Sequence, residues 1–90
     1  MKHVEIRVEG CVQGVGFRWW ARAKAAALGI KGFVRNEDDG SVYLEVEGED
    51  AAVDAYVDVC RRGPGGAMVD RITVSEGPMR RHAEFEIRFR

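Results

Sequence analysis

Apolar and charged residues alternate from the start of the chain. Val4, Ile6 and Val8 interleave with His3, Glu5, Arg7 and Glu9, which predicts a strand with one buried face. Residues 10–16 hold Gly10, Gly14 and Gly16 and read as a loop. The period then changes. Phe17, Ala21, Ala25 and Leu28 fall on one helical stripe, and Gly29 suits the C-cap of that helix. Residues 30–35 read as a second strand, and 36–40 as a turn in which Asp39-Gly40 supplies the positive φ of a hairpin. Val42, Leu44 and Val46 alternate with Ser41, Tyr43 and Glu45 in a third strand that Gly48 ends. Asp50 is placed to cap a second helix, whose apolar stripe is Val53, Tyr56, Val57 and Cys60. Gly63-Pro64-Gly65-Gly66 breaks it. A fourth strand covers residues 67–75, and its apolar phase shifts between Val69 and Ile72, which predicts a bulge. Phe85, Ile87 and Phe89 alternate with Glu84, Glu86 and Arg88 in a closing strand.

The order is β-α-β-β-α-β plus a C-terminal strand. Each helix has a single apolar stripe, so both lie on one face of one sheet, and the hairpin makes that sheet mostly antiparallel. This is the α+β, ferredoxin-like split βαβ sandwich. No linker or repeat divides the chain, so residues 1–90 read as a single domain.

Composition narrows the function. The net charge of −1 offers no basic field to nucleic acid or to a membrane. An RNA-reading sheet face needs basic and aromatic residues, whereas the third strand offers Ser41, Tyr43, Glu45 and Glu47. No apolar run approaches the ~18 residues of a membrane span, and the N-terminus lacks the apolar segment of a secretory signal, so the expected compartment is the cytoplasm. Cys11 and Cys60 match neither a disulfide framework nor a metal motif. His3 and His82 stand alone in the sequence and read as surface residues, so no metal is expected. The run Glu37-Asp38-Asp39 reads as a solvated turn. Trp19 and Trp20 are adjacent, so one of them faces away from the core.

The chemistry concentrates in the first β-α connection, GCVQGVGFR. Glycines let successive backbone N–H groups turn into a concave nest, and the loop leads into a helix N-terminus whose first amides lack partners. Arg18 sits in the first turn with a planar fork that matches two phosphate oxygens. A cation there opposes the helix dipole, a local cost that an anion offsets. Lys-Ser/Thr does not follow Gly16, so the loop is not a Walker A motif, and it is not G-x-G-x-x-G. Asn36 ends the second strand. Its amide is no base at neutral pH but can hold a water by accepting one hydrogen bond and donating another.

GCVQGVGFR, followed about 14 residues later by GFVRNEDDGSV, resembles the acylphosphatase signature pair, and GPGGAMV and the terminal FEIRF resemble that family's pattern as well. The resemblance covers essentially the whole chain. It implies a metal-free hydrolase that splits acyl phosphates into a carboxylate and inorganic phosphate, with no cofactor. It also implies that Arg18 and Asn36 are catalytic, and that the amides of Gly14, Val15, Gly16, Phe17 and Arg18 cradle the phosphoryl group. Cys11 stands where the family often has a basic residue. The implied partners are a small acyl phosphate and inorganic phosphate, the latter as product and inhibitor, and a monomer suffices. Two other readings fit the same fold: a non-catalytic anion-binding module, and the related domain of larger hydrogenase-maturation carbamoyltransferases, against which the 90-residue length argues.

Overall fold

The computed structural model describes residues 1–89. The elements run β1 (Lys2–Cys11), α1 (Phe17–Leu28), β2 (Lys31–Asn36), β3 (Val42–Gly48), α2 (Asp50–Arg62), β4 (Met68–Gly77) and β5 (Phe85–Arg88). They build one sheet in the order β4-β1-β3-β2-β5. All neighbouring pairs are antiparallel except β2 and β5, which run parallel. Two helices on a five-stranded mixed sheet give the expected ferredoxin-like α+β architecture.

Strand alternation sends Val4, Ile6 and Val8 of β1, and Val42, Leu44 and Val46 of β3, to the helix side, where all six are buried. Each such side chain contributes roughly 1.5–3 kcal/mol on leaving water. Helix α1 meets this layer through Phe17, Ala21 and Ala25, and α2 through Val53, Tyr56 and Cys60. The two alanines let α1 lie close to the sheet. The Tyr56 hydroxyl donates to the Ala21 carbonyl at 2.8 Å and ties the helices together. Gly29 caps α1 in the left-handed region (φ 69°), with its N–H on the Ala25 carbonyl.

The phase shift in the fourth strand is a bulge. Glu9 pairs with Arg71 and Gly10 with Val69, so Asp70 is the extra residue. Gly10 makes this possible: its φ is 131°, and a Cβ there would sit 2.2 Å from the Met68 carbonyl oxygen.

Two expectations fail. Asp50 does not cap α2. Glu49 holds the N-cap position without a side-chain bond, and Asp50 is the first helical residue, where its carboxylate pairs with the N-terminal ammonium at 3.2 Å. His3 is not a surface residue; it is fully buried, and its ring stacks 6.1 Å from that of His82. The chain between β4 and β5 joins opposite edges of the sheet and crosses the face away from the helices. Backbone amides of Arg80 and His82 donate to the Glu47 carboxylate, and the crossing covers Glu45 and Glu47 as well as His3. Burial raises the Glu47 pKa, but these amides and His3 lower it further, so the carboxyl lies below its usual range.

Candidate active site

The β1-α1 connection is anchored by Val12, which is fully buried. Beyond it, Gly14 (φ 75°) and Gly16 (φ 76°) are left-handed. A Cβ at either would meet nothing within 4 Å among the described residues. Backbone handedness, not clearance, therefore calls for glycine at both positions. Gly16 is the N-cap of α1, with no side-chain cap among the described residues and no acid in the first turn. The first closed helical bond is Trp20 N–H to the Gly16 carbonyl, at 3.0 Å. The amides of Phe17, Arg18 and Trp19 thus point out of the helix end, at the positive pole of its dipole.

Arg18 is half-buried, and its guanidinium carbon lies 4.9 Å from the centre of the Phe89 ring. Among the described residues it forms no ion pair, so its charge is held in place by an aromatic face and left for a ligand. Asn36, the last residue of β2, has the parity of buried Val34 and so turns to the helix side of the sheet, toward the start of α1.

Two adjoining clefts meet at this point. One, of about 180 Å³, is lined by Val12, Gly14, Gly16, Phe17 and Trp19 together with Arg18 and Asn36. The other, of about 430 Å³, is lined by Gln13, Glu37, Asp38 and Phe89, again with Arg18 and Asn36. These two side chains form the wall common to both. Val15 stands apart. It packs toward the Gly63–Gly66 turn, where a Cβ at Gly66 would lie 3.7 Å from its own Cβ, so only its backbone is available to the cradle. Trp19, 58% exposed, is the tryptophan that faces away from the core, and it edges the smaller cleft. A slightly larger cleft of about 480 Å³ lies at the other end of the molecule, beside Met1, Lys31 and Met79, and neither Arg18 nor Asn36 lines it.

The sequence reading passed over Gln13. Its side-chain NH₂ donates to the carbonyls of Glu37 (2.8 Å) and Ser41 (2.9 Å), lashing the glycine loop to the β2-β3 hairpin that carries Asn36. A glutamine in a loop is ordinarily a surface residue. Its one distinguishing mark is that it is the only long polar side chain between Cys11 and Phe17. The hairpin is braced in turn by Asp39, which accepts from the Ser41 amide (2.9 Å) and hydroxyl (2.6 Å) and so titrates below its usual range. Arg35 holds Glu37 at 3.0 Å.

Comparison with known proteins identifies the family. The acylphosphatase family profile matches residues 4–87. The chain is 43% identical over 89 residues to the acylphosphatase of Thermotoga maritima, covering 99% of both chains. It is 55% identical over 73 residues to that of Mesorhizobium japonicum, covering 81% of this chain and 78% of that one. The crystal structure of acylphosphatase from Bacillus subtilis superposes with a TM-score of 0.96 at 34% identity, covering 99% of this chain and 100% of that one. Full-length HypF in its phosphate- and nucleotide-bound form aligns over 96% of this chain but only 11% of its own length, with a TM-score of 0.86 and 30% identity. The chain belongs to the acylphosphatase family.

Proposed function

We propose that this chain hydrolyses acyl phosphates to a carboxylate and inorganic phosphate, with Arg18 and Asn36 as its catalytic pair and residues 1–90 acting as a single acylphosphatase-like domain. The observation that carries this is the shared wall: Arg18 and Asn36 together line both clefts at the uncapped N-terminus of α1. In this reading the amides of Gly14, Val15, Gly16, Phe17 and Arg18 bind the phosphoryl oxygens, and the Arg18 fork takes two of them. The Asn36 amide holds a water on the far side of phosphorus from the acyl oxygen. Water oxygen bonds to phosphorus as the phosphorus–acyl oxygen bond breaks. The bond's electron pair leaves on the carboxylate, and the water's proton passes to a phosphate oxygen. A carboxylate needs no protonation to leave, so the site requires no general acid. Positioning and fixed charge supply the rate. No metal or cofactor enters these steps.

Inorganic phosphate is then both product and competitive inhibitor, and a monomer carries the whole site. We place the protein in the cytoplasm, where the unpaired Cys11 and Cys60 stay reduced. No helix among the described residues is long and apolar enough to cross a membrane.

Benzoyl phosphate hydrolysis in EDTA tests the assignment. Arg18→Ala is expected to lose about 10³-fold or more in kcat/KM, the scale of removing an arginine that stabilises the charge of a phosphoryl-transfer transition state. Arg18→Lys should recover little of it, because a point charge lacks the fork. Asn36→Ala should lower kcat more than it raises KM. Near wild-type turnover by Arg18→Ala would overturn the assignment. Phosphate binding without turnover by the wild-type protein would favour a non-catalytic module.

A further inference from the structure

The sheet face away from the helices gathers acids at the end remote from the glycine loop. His3 pairs across the strands with Glu47, and Glu5 with Glu45. Like charges placed directly opposite repel, so Glu5 facing Glu45 calls for a cation between them. Glu47 is fully occupied: it accepts from the Arg80 and His82 amides and, at 2.8 Å, from His3 Nδ1. A carboxylate can only accept, so the His3 proton resides on Nδ1, and in the neutral ring Nε2 carries a lone pair.

That Nε2 atom is buried and has no hydrogen-bond partner among the described residues. It lies 3.7 Å from Glu5 Oε2 and 3.7 Å from Glu45 Oε1. A buried lone pair facing two carboxylate oxygens is an unfavourable arrangement unless something positive sits between them. We propose that His3 Nε2, Glu5 Oε2 and Glu45 Oε1 are the protein ligands of a divalent first-row transition ion, with Zn²⁺ as the reference ion. Tetrahedral bonds of ~2.0–2.2 Å place ligand atoms about 3.4 Å apart. The two separations from His3 Nε2 need close by only a few tenths of an ångström, and all three ligand atoms lie within 4.8 Å of one another.

The surroundings fit a metal-bound histidine. Glu47 on Nδ1 is the carboxylate that orients the imidazole and raises its basicity. Tyr43 donates to the other Glu45 oxygen at 2.9 Å and fixes that carboxylate. His82 Nε2 is 3.3 Å from the Glu45 ligand oxygen, so the crossing segment adjoins the site. The guanidinium of Arg80, 3.8 Å from Glu5 Oε2, is the side chain that an ion displaces. One imidazole with two carboxylates selects zinc, cobalt or nickel over the all-oxygen sites that suit magnesium and calcium. The site lies roughly 25 Å along β1 from the glycine loop, eight residues of strand away, so it clamps the crossing segment and takes no part in hydrolysis. The competing state is a second proton on His3, which satisfies the same three groups without metal.

Tag-free, EDTA-stripped protein carrying Cys11→Ser, which removes the exposed thiol, separates these states. Calorimetric titration with Zn²⁺ should show one equivalent bound at micromolar concentration, with a rise in melting temperature. Co²⁺ should give visible bands of a four-coordinate N,O site. Glu5→Gln, at a partly exposed position, should weaken both at least about tenfold while the apo melting curve stays cooperative. Glu45→Gln should do the same. Three results would overturn the proposal: no Zn²⁺ or Co²⁺ uptake at millimolar concentration, uptake indifferent to both glutamine variants, or Mg²⁺ and Ca²⁺ binding as tightly as Zn²⁺.

Discussion

Single side chains divide the labour at the candidate site in ways that residue identity alone does not reveal. In the proposed mechanism Arg18 and Asn36 reach the phosphoryl position, and the distance between their elements depends on Gln13. Its two bonds to the Glu37 and Ser41 carbonyls fix the hairpin against the loop. Gln13→Ala leaves the Ser41 carbonyl still accepting from the Glu37 amide, so little buried polarity is orphaned. The loss in stability is expected to be about 1 kcal/mol. The loss in kcat should be larger, about tenfold or more, since a shift of a fraction of an ångström spoils in-line attack. Steady-state kinetics on benzoyl phosphate, with KM near wild type, checks this; a fall confined to KM would assign Gln13 to substrate binding. The cysteines differ just as sharply. Cys60 is wholly buried on α2, and desolvation pushes its thiol up to about 12, whereas Cys11 is exposed. An aromatic disulfide reagent at pH 8 should titrate one thiol in the native protein and two after denaturation.

At the scale of elements, backbone sign matters as much as side-chain pattern. The residues of α1 and the β2-β3 hairpin were legible because their signals are local: one apolar stripe closed by Gly29, and two alternating strands around Asp39-Gly40. The bulge was legible too, as the phase slip between Val69 and Ile72. The burial of His3 was not. Its cover is the stretch 78–84, which has no periodicity and lies more than seventy residues away in the chain, so nothing near His3 announces it. The cap of α2 was misplaced by one residue, because Asp50 does as well at the first helical position, where the dipole favours an acid, as at the cap itself. Two glycine substitutions separate these effects. Gly10→Ala drives a Cβ into the β4 backbone at the bulge and should cost more than about 3 kcal/mol, a large share of a small domain's stability. Gly16→Ala meets no atom of the described residues within 4 Å and carries only left-handed strain, about 1–2 kcal/mol, yet reorients the amides at the start of α1. Urea unfolding should rank Gly10→Ala as much the worse for stability, while Gly16→Ala retains a cooperative fold with greatly reduced hydrolysis. Equal unfolding midpoints would contradict the role given to the bulge.

Over the whole molecule, the candidate site exists only when separate parts of the chain are folded together. The cradle amides come from the β1-α1 connection, Asn36 from the end of β2, and the ring that holds Arg18 from Phe89 just past β5. Strand β5 reaches β2 only after the chain has crossed the sheet from β4. An unfolded chain therefore offers phosphate no comparable site, and phosphate should stabilise the native state by mass action. At ten times its dissociation constant the gain is about 1.4 kcal/mol. For a domain of this size that raises the melting temperature by roughly 6–11 °C. The shift should grow with the logarithm of phosphate concentration, and chloride at matched ionic strength should not reproduce it. Arg18→Ala should melt within a few degrees of the wild type without phosphate, because it loses the Phe89 ring contact but no ion pair among the described residues, and should gain little when phosphate is added. A full phosphate shift in Arg18→Ala would place the anion site elsewhere, and would detach the stability of this fold from the loop that opens α1.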